Sequence, residues 1–178
     1  MQAADVSLLV EQHGKELYRY CCRLTGCVSQ AEDLYQQTFL KCLELNQDVD
    51  FTANPRAFLF ALAGGVWKNQ LRKTGRRMAI LRPVELDAPD APDLAAAENL
   101  ERQTAVKARD ATLQAAIGQL APKYRIPLVL SYGFDWTVEQ IAKAERVPQG
   151  TIKSRLHKAR QLLKKEMEAK GYDTAQEF

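Results

Sequence analysis

The sequence predicts an all-α fold: two small helical lobes joined by a flexible acidic linker. Three observations lead there. Apolar residues recur at steps of three and four through most of the chain, while the alternation of a half-buried strand is almost absent. The centre, "RPVELDAPDAPDLAAAE", gathers Pro83, Pro89 and Pro92 among Asp and Ala, a composition suited to a linker. Charge divides in the same places. Residues 1–77 carry ten basic and eight acidic groups, residues 78–110 four and seven, and residues 111–178 eleven and seven. Two mildly basic ends therefore flank an acidic middle. The expected division is a first lobe at 1–77, a linker at 78–110, a second lobe at 111–170 and a tail at 171–178.

The first lobe reads as three helices. Val6, Leu9, His13, Leu17, Tyr20 and Leu24 share one face, and Gly26 is a stop signal. Ser29-Gln-Ala-Glu32 has the spacing of a capping box and predicts a helix start at Ser29. Its stripe is Ala31, Leu34, Tyr35, Thr38, Cys42 and Leu45. "NQDVDFTANP" reads as a loop. Asn54 is placed to cap the third helix, with Pro55 at its first position, where a missing amide hydrogen costs nothing. That helix, "RAFLFALAGGVWKNQLRK", turns basic at its end, and Gly75 is expected to close it.

The second lobe reads as four helices, and helical structure could begin as early as Leu94. In "ATLQAAIGQL", Leu113, Ala116, Ile117 and Leu120 share a face. "APKYRIPLVLSYGF" follows, with Pro122 at a helix start and Gly133 at its end; Pro127 should bend this helix or loosen its first turn. Then comes "WTVEQIAKAERVPQGTIKSRLHKAR", which breaks at Glu145-Arg146-Val147-Pro148. Before the break the charges are mixed. Between Gln149 and Lys165 there are six basic residues and no acid. Ile152, Leu156, Ala159 and Leu163 step by four, three and four and should face inward, leaving Gln149, Lys153, Ser154, His157, Lys158 and Gln161 outward. Two short helices about a tight turn, the second with a basic outer face, form the helix-turn-helix pattern. Such a helix reads base edges with long polar side chains and meets phosphates with its N-terminal amides. A solvated amphipathic face is the plainer alternative for the charge run taken alone.

Other features narrow the classes. The chain has 178 residues, 46% apolar and 26% charged, enough for real cores. No apolar run approaches the roughly 20 residues of a membrane span, so no membrane insertion is expected. The first residues lack the basic start and apolar core of an export signal, which points to a cytoplasmic protein. Cys21, Cys22, Cys27 and Cys42 form no Cys-x-x-Cys pair, and with His13 they match no common zinc spacing, so reduced, partly buried thiols are expected. There is no Ser-His-Asp arrangement, no phosphate-cradling glycine loop and no His-rich motif; neither an enzyme, a cofactor nor a small-molecule substrate is read.

The stretch "TVEQIAKAERVPQGTIKSRLHKARQLLKK" resembles the fourth conserved region of the extracytoplasmic-function (ECF) sigma factors of bacterial RNA polymerase. Ile141-Ala142, Gly150 to Leu156 and Ala159-Arg160 carry the likeness. "AEDLYQQTFLKCLE" is similar to the helix by which those factors dock on the polymerase clamp, and "NPRAFLFALAGGVWKNQLRK" to their promoter-melting helix. The resemblance spans nearly the whole chain, and both motifs stand in the family's order.

It implies a factor that binds core RNA polymerase and promoter DNA, with an anti-sigma factor as its regulator. Gln149, Gly150, Thr151, Lys153, Ser154, His157 and Lys158 would read the minus-thirty-five element, with Arg155 and Arg160 serving phosphates or the core. Asn54 with the loop before it, Trp67, Lys68, Asn69, Arg72 and Lys73 would hold the minus-ten element. Glu32, Asp33, Gln36 and Gln37 would contact the clamp, with Phe39 and Leu40 beneath or beside them.

The chain departs from the family pattern in three places. Gln37 stands where the family usually has Glu, Gly64-Gly65 where it often has Arg-Asn, and Arg146 where it often has Gly. Two glycines cost a helix interior about 2 kcal/mol relative to alanine. If Arg146 takes a positive φ, that costs on the order of 1 kcal/mol. Trp67 suits either base stacking or the core, His157 either DNA or solvent, and the linker either nucleic-acid mimicry or a tether; Trp136 reads as core. Two rivals stand beside the sigma reading. One is a dimeric, polymerase-independent DNA-binding regulator. The other is a degenerate sigma-like interaction protein that initiates nothing.

Overall fold

Among the described residues the apolar stripes become seven helices. The structure, a computed structural model, describes residues 3–45, 54–80 and 100–172, and no strand occurs among them. The chain separates into two compact units, Met1–Ala91 and Pro92–Phe178.

Unit 1 contains α1 (Ala3–Thr25), α2 (Val28–Glu44) and α3 (Pro55–Ile80). All three pack on one another. Of the stripe on α1, Val6, Leu9, Leu17, Tyr20 and Leu24 are buried, as are Ala31, Leu34 and Phe39 of α2 and Leu59, Phe60 and Ala63 of α3. Tyr20 stacks on Phe60 with centroids 4.7 Å apart. Arg56 lies over the same Phe60 ring, 5.6 Å from its centroid, and grips Glu16 of α1 with two donors, Nε at 3.0 Å. Thr38 is fully buried, and its hydroxyl donates to the Leu34 carbonyl at 2.7 Å, which satisfies that donor.

The turn between α1 and α2 corrects one expectation. Gly26 does stop α1, at φ 71°, a left-handed conformation that costs glycine little. The capping box at Ser29 does not form. Cys27 is the N-cap in extended conformation, with no side-chain cap, and α2 starts at Val28. Thr25 takes over the local hydrogen bonding: its hydroxyl donates to the Cys21 and Cys27 carbonyls, each at 3.0 Å. Asn54 caps α3 as read, its Oδ1 accepting from the Ala57 amide at 2.9 Å. Gly75, expected to end α3, is passed through, and the helix runs on to Ile80. Residues 46–53, most of the loop read before Asn54, lie outside the described residues.

Unit 2 contains α4 (Leu100–Gln119), α5 (Pro122–Phe134), α6 (Val138–Glu145) and α7 (Gln149–Ala169). Residues 100–110, read as linker, are helical; Leu94 lies outside the described residues. Helix α7 touches each of the other three. Ala116, Leu120, Leu128, Ala159 and Leu163 form one buried cluster, with Leu113, Ile117, Tyr124 and Leu162 against it. Pro122 occupies the first turn of α5 as read. The helix continues across Pro127, which forfeits one amide bond without ending it. Its stop is Asp135 in the left-handed region at φ 55°, two residues past Gly133. Arg125 is buried in α5, and burial pulls its pKa down to about 10. Helix α7 closes with Gly171 at φ 84°; the Gly171 amide reaches Glu168 and the Tyr172 amide reaches Met167, a Schellman stop.

Two predictions follow from unit 1. A methyl group on Gly14 would lie 2.8 Å from the Tyr35 hydroxyl, and the Tyr35 ring is held edge-on by Tyr18 and Phe39 at 5.7 and 5.0 Å. Gly14→Ala should therefore lower unfolding free energy by about 1–3 kcal/mol in a urea titration. Adding Tyr35→Phe removes the clashing oxygen and should recover most of that loss. The thiols give the second. Burial pushes Cys21 up to about 12, with a further push from Cys22, and Cys42 up to about 11. In the folded chain at pH 8, iodoacetamide should leave both unmodified until denaturant is added, as mass spectrometry would read. From pH 9 upward the unfolded chain releases these protons and the folded chain keeps them, so stability should fall towards pH 11.

Candidate nucleic-acid interface

The interface in unit 2 starts from two helix ends. At the start of α6, the Thr137 hydroxyl accepts from the Gln140 amide at 3.2 Å, and the Gln140 side chain accepts from the Thr137 amide at 2.8 Å. This is a complete capping box, and its Thr-x-x-Gln spacing is legible in the sequence. On the exposed side of α6, Glu139 pairs with Lys143 at 2.8 Å; the Lys143 hydrogen bond holds the Glu139 carboxyl below its ordinary value.

At the other end α6 stops in a Schellman motif. The Val147 amide donates to the Ala142 carbonyl at 3.0 Å, and the Arg146 amide to Lys143 at 3.3 Å. Arg146 takes φ 54°, the left-handed position that glycine favours. Pro148, which has no amide hydrogen to satisfy, then leads directly into α7. The turn is therefore short and stiff, and it delivers the first residue of α7 at a fixed angle.

Helix α7 divides as its periodicity requires. Ile152, Leu156, Ala159, Leu163 and Met167 are buried against the other three helices of the unit. Gln149, Gly150, Lys153, Ser154, His157 and Lys158 are exposed, and Thr151 and Arg160 are half-buried at the margin. The Ser154 hydroxyl donates to the Gly150 carbonyl at 2.9 Å. His157 Nε2 and Gln161 Nε2 stand 3.0 Å apart, one turn along the same face. Trp136, read as core, is 5% exposed.

Arg155 is placed differently from its neighbours. It sits on the flank of α7, and its Nη1 lies 3.6 Å from Oε2 of Glu145, the last residue of α6. The Glu145 side chain is only 6% exposed. The reading that sent Arg155 to phosphate or polymerase omitted this pair, because nothing local links residues ten positions apart.

Unit 1 presents two further faces. On α2, Glu32, Asp33, Gln36, Gln37 and Leu40 are exposed together, and Phe39 is buried beneath them against Tyr35. Leu40 is 58% exposed and Leu43 46%, so the face mixes carboxylates, amides and apolar surface. The Gln70 amide of α3 donates to Gln37 Oε1 at 3.0 Å, which ties this face to the next helix. Gln37, Leu40, Lys41, Glu44, Val66, Asn69, Gln70 and Lys73 line a groove between α2 and α3.

On α3, Asn69, Arg72 and Lys73 are exposed and Lys68 half-buried, with Arg72 donating to Asn69. Asn54 is exposed, its Oδ1 engaged in the helix cap. Trp67 is corrected. It is 4% exposed, part of the core of unit 1, and a ring so packed has no free face for a base. Gly64 and Gly65 lie within α3, and a methyl at Gly65 would meet open space. No group of three or more His, Cys, Asp or Glu positioned for a metal occurs among the described residues, and none of their helices is long and apolar enough to cross a membrane.

With this geometry in place, comparison with known proteins gives consistent results. Residues 9–77 match the family model for sigma-70 region 2, and residues 110–163 that for sigma-70 region 4. The chain is 33% identical over 174 residues to the ECF RNA polymerase sigma factor SigL of Mycobacterium tuberculosis, covering 96% of this chain and 93% of the relative. It is 27% identical to SigW of Bacillus subtilis, with 89% and 87% covered. Among solved structures, it resembles the sigma factor RpoE of Bartonella quintana, in complex there with the anti-sigma factor NepR. The TM-score is 0.71 at 22% identity, over 92% of this chain and 97% of that one.

Arg146 carries a local strain that a substitution can relieve. Its side chain is exposed while its backbone is left-handed. Arg146→Gly should raise unfolding free energy by about 1 kcal/mol, measured by urea titration with circular dichroism.

Proposed function

The chain belongs to the ECF sigma factors of bacterial RNA polymerase, and from that premise we propose how its two units share promoter recognition. It binds core RNA polymerase and directs transcription initiation, a task without catalysis of its own. The exposed face of α2, from Glu32 to Leu40, docks on the polymerase. Asn69, Arg72 and Lys73 of α3, with Lys68 and Asn54 beside them, hold the minus-ten DNA. The outer face of α7 reads the minus-thirty-five element through Gln149, Lys153, Ser154, His157 and Lys158, while Gly150 and Thr151 bring the helix N-terminus close to the backbone and Arg160 meets phosphate at the margin. The protein works in the cytoplasm, where polymerase is, and an anti-sigma factor holds it in check.

The observation that carries this reading is the division of α7. A strip of five buried residues faces the bundle, and the opposite face has cations and amides with no acid between Gln149 and Lys165. A net charge of +3 limits what the protein can do alone. Few phosphate contacts make weak, salt-sensitive binding. Core polymerase converts two weak promoter contacts into one bivalent event, and the affinity rises accordingly.

Run-off transcription tests the assignment. Purified protein, core polymerase and fragmented genomic DNA from the source organism should yield discrete start sites sharing a two-part upstream motif. Lys153→Ala with Lys158→Ala should abolish them. Stable core binding without transcripts would favour an interaction protein that initiates nothing, the reading to which Gly64-Gly65 and Gln37 lend support. In that case Gly64→Arg with Gly65→Asn should restore promoter melting. Tight binding to a palindromic site without polymerase would favour an independent regulator.

A further inference from the structure

We infer that Arg155 is a positioning residue: through Glu145 it holds the fine roll of α7 and so the aim of the outward side chains at the bases. The argument begins with what the buried strip can and cannot hold. Ile152, Leu156 and Ala159 anchor α7 to its unit. The strip fixes which face of α7 points outward and confines it to small rolls; among those, non-directional apolar contacts discriminate least.

Side-chain ends lie about 5–6 Å from the helix axis, so a roll of about 20° would carry Lys153, Ser154, His157 and Lys158 about 2 Å across a groove. The Arg155–Glu145 pair lies beside the strip and off the axis, at 3.6 Å, which is where a tie opposes rotation. Its two residues belong to the two helices of the motif, one on each side of the turn at Arg146. The Glu145 side chain is 6% exposed, so a carboxylate there needs partners, and Arg155 is one of them. Arg155 itself is 24% exposed at the flank, while Lys153, Ser154, His157 and Lys158 project outward.

This inference rests on the initiation-factor reading, and the experiment separates the two. The probe is a promoter duplex recovered by run-off transcription, bound by the holoenzyme over a range of salt. A second duplex carries base changes in its minus-thirty-five element. Glu145→Gln and Arg155→Gln should each reduce discrimination between the duplexes about fivefold, and the double variant should be no worse than either single one. The slope of log affinity against log salt should stay at its wild-type value in all three. The charge-exchanged variant, Glu145→Arg with Arg155→Glu, should recover discrimination.

A slope reduced by about one in Arg155→Gln, with Glu145→Gln at wild-type affinity, would make Arg155 a phosphate contact and overturn the inference. Unchanged discrimination in both single variants would overturn it too. If the single variants fail to fold, the exchanged pair decides: folded and discriminating supports the tie, folded and undiscriminating refutes it. A wild-type holoenzyme with no promoter would overturn the initiation-factor reading, and this inference with it.

Discussion

Burial of one strip of α7 is the constraint on which unit 2 depends. Helices α4, α5 and α6 each pack against α7. Ile152, Leu156, Leu163 and Met167 are each at most 7% exposed. At about 1.5–3 kcal/mol for a fully buried large apolar side chain, this strip is a large share of what a small unit can gather. The 3.6-residue period then leaves no choice for the other face. Whatever lies between the buried positions must point outward, and here that is Gln149, Lys153, Ser154, His157 and Lys158. Packing and recognition are two faces of one periodicity.

Unit 1 uses the same principle with more polar ties. Its apolar stripes meet in the Tyr20–Phe60 stack, and Arg56 joins that stack to Glu16. Gly14 opens the notch that lets Tyr35 lie against α1, and Tyr35 in turn braces Phe39 under the exposed face of α2. The face that would meet polymerase thus stands on an aromatic support. The Gln70–Gln37 hydrogen bond links it to α3, which bears the candidate minus-ten residues.

Local signals were legible in proportion to how local their physics is. Asn54-Pro55 announced a helix start, and Asn54 does cap it. Gly26 announced a stop, and α1 ends beside it. The two capping-box spacings show the limit. Thr137-x-x-Gln140 forms its box, whereas Ser29-x-x-Glu32 does not, because the Gly26 turn and the Thr25 hydroxyl bring Cys27 into the cap position first. Gly75 misled for a related reason. A glycine weakens a helix by about 1 kcal/mol, too little to end one that is already propagating.

The sequence by itself determined the helical class, the inward faces, the break at Arg146 and the family, since each rests on contacts within one or two helical turns or on motifs read in order. The candidate interface was legible to the same depth: the outward residues of α7 follow from its stride. Only the tertiary structure decided that Trp67 lies in the core and that Arg155 turns aside to Glu145. Both outcomes depend on which surfaces meet across a turn or between helices. A period of 3.6 residues says which way a side chain leaves its own helix. It does not say what stands opposite, and that is settled only when the helices pack.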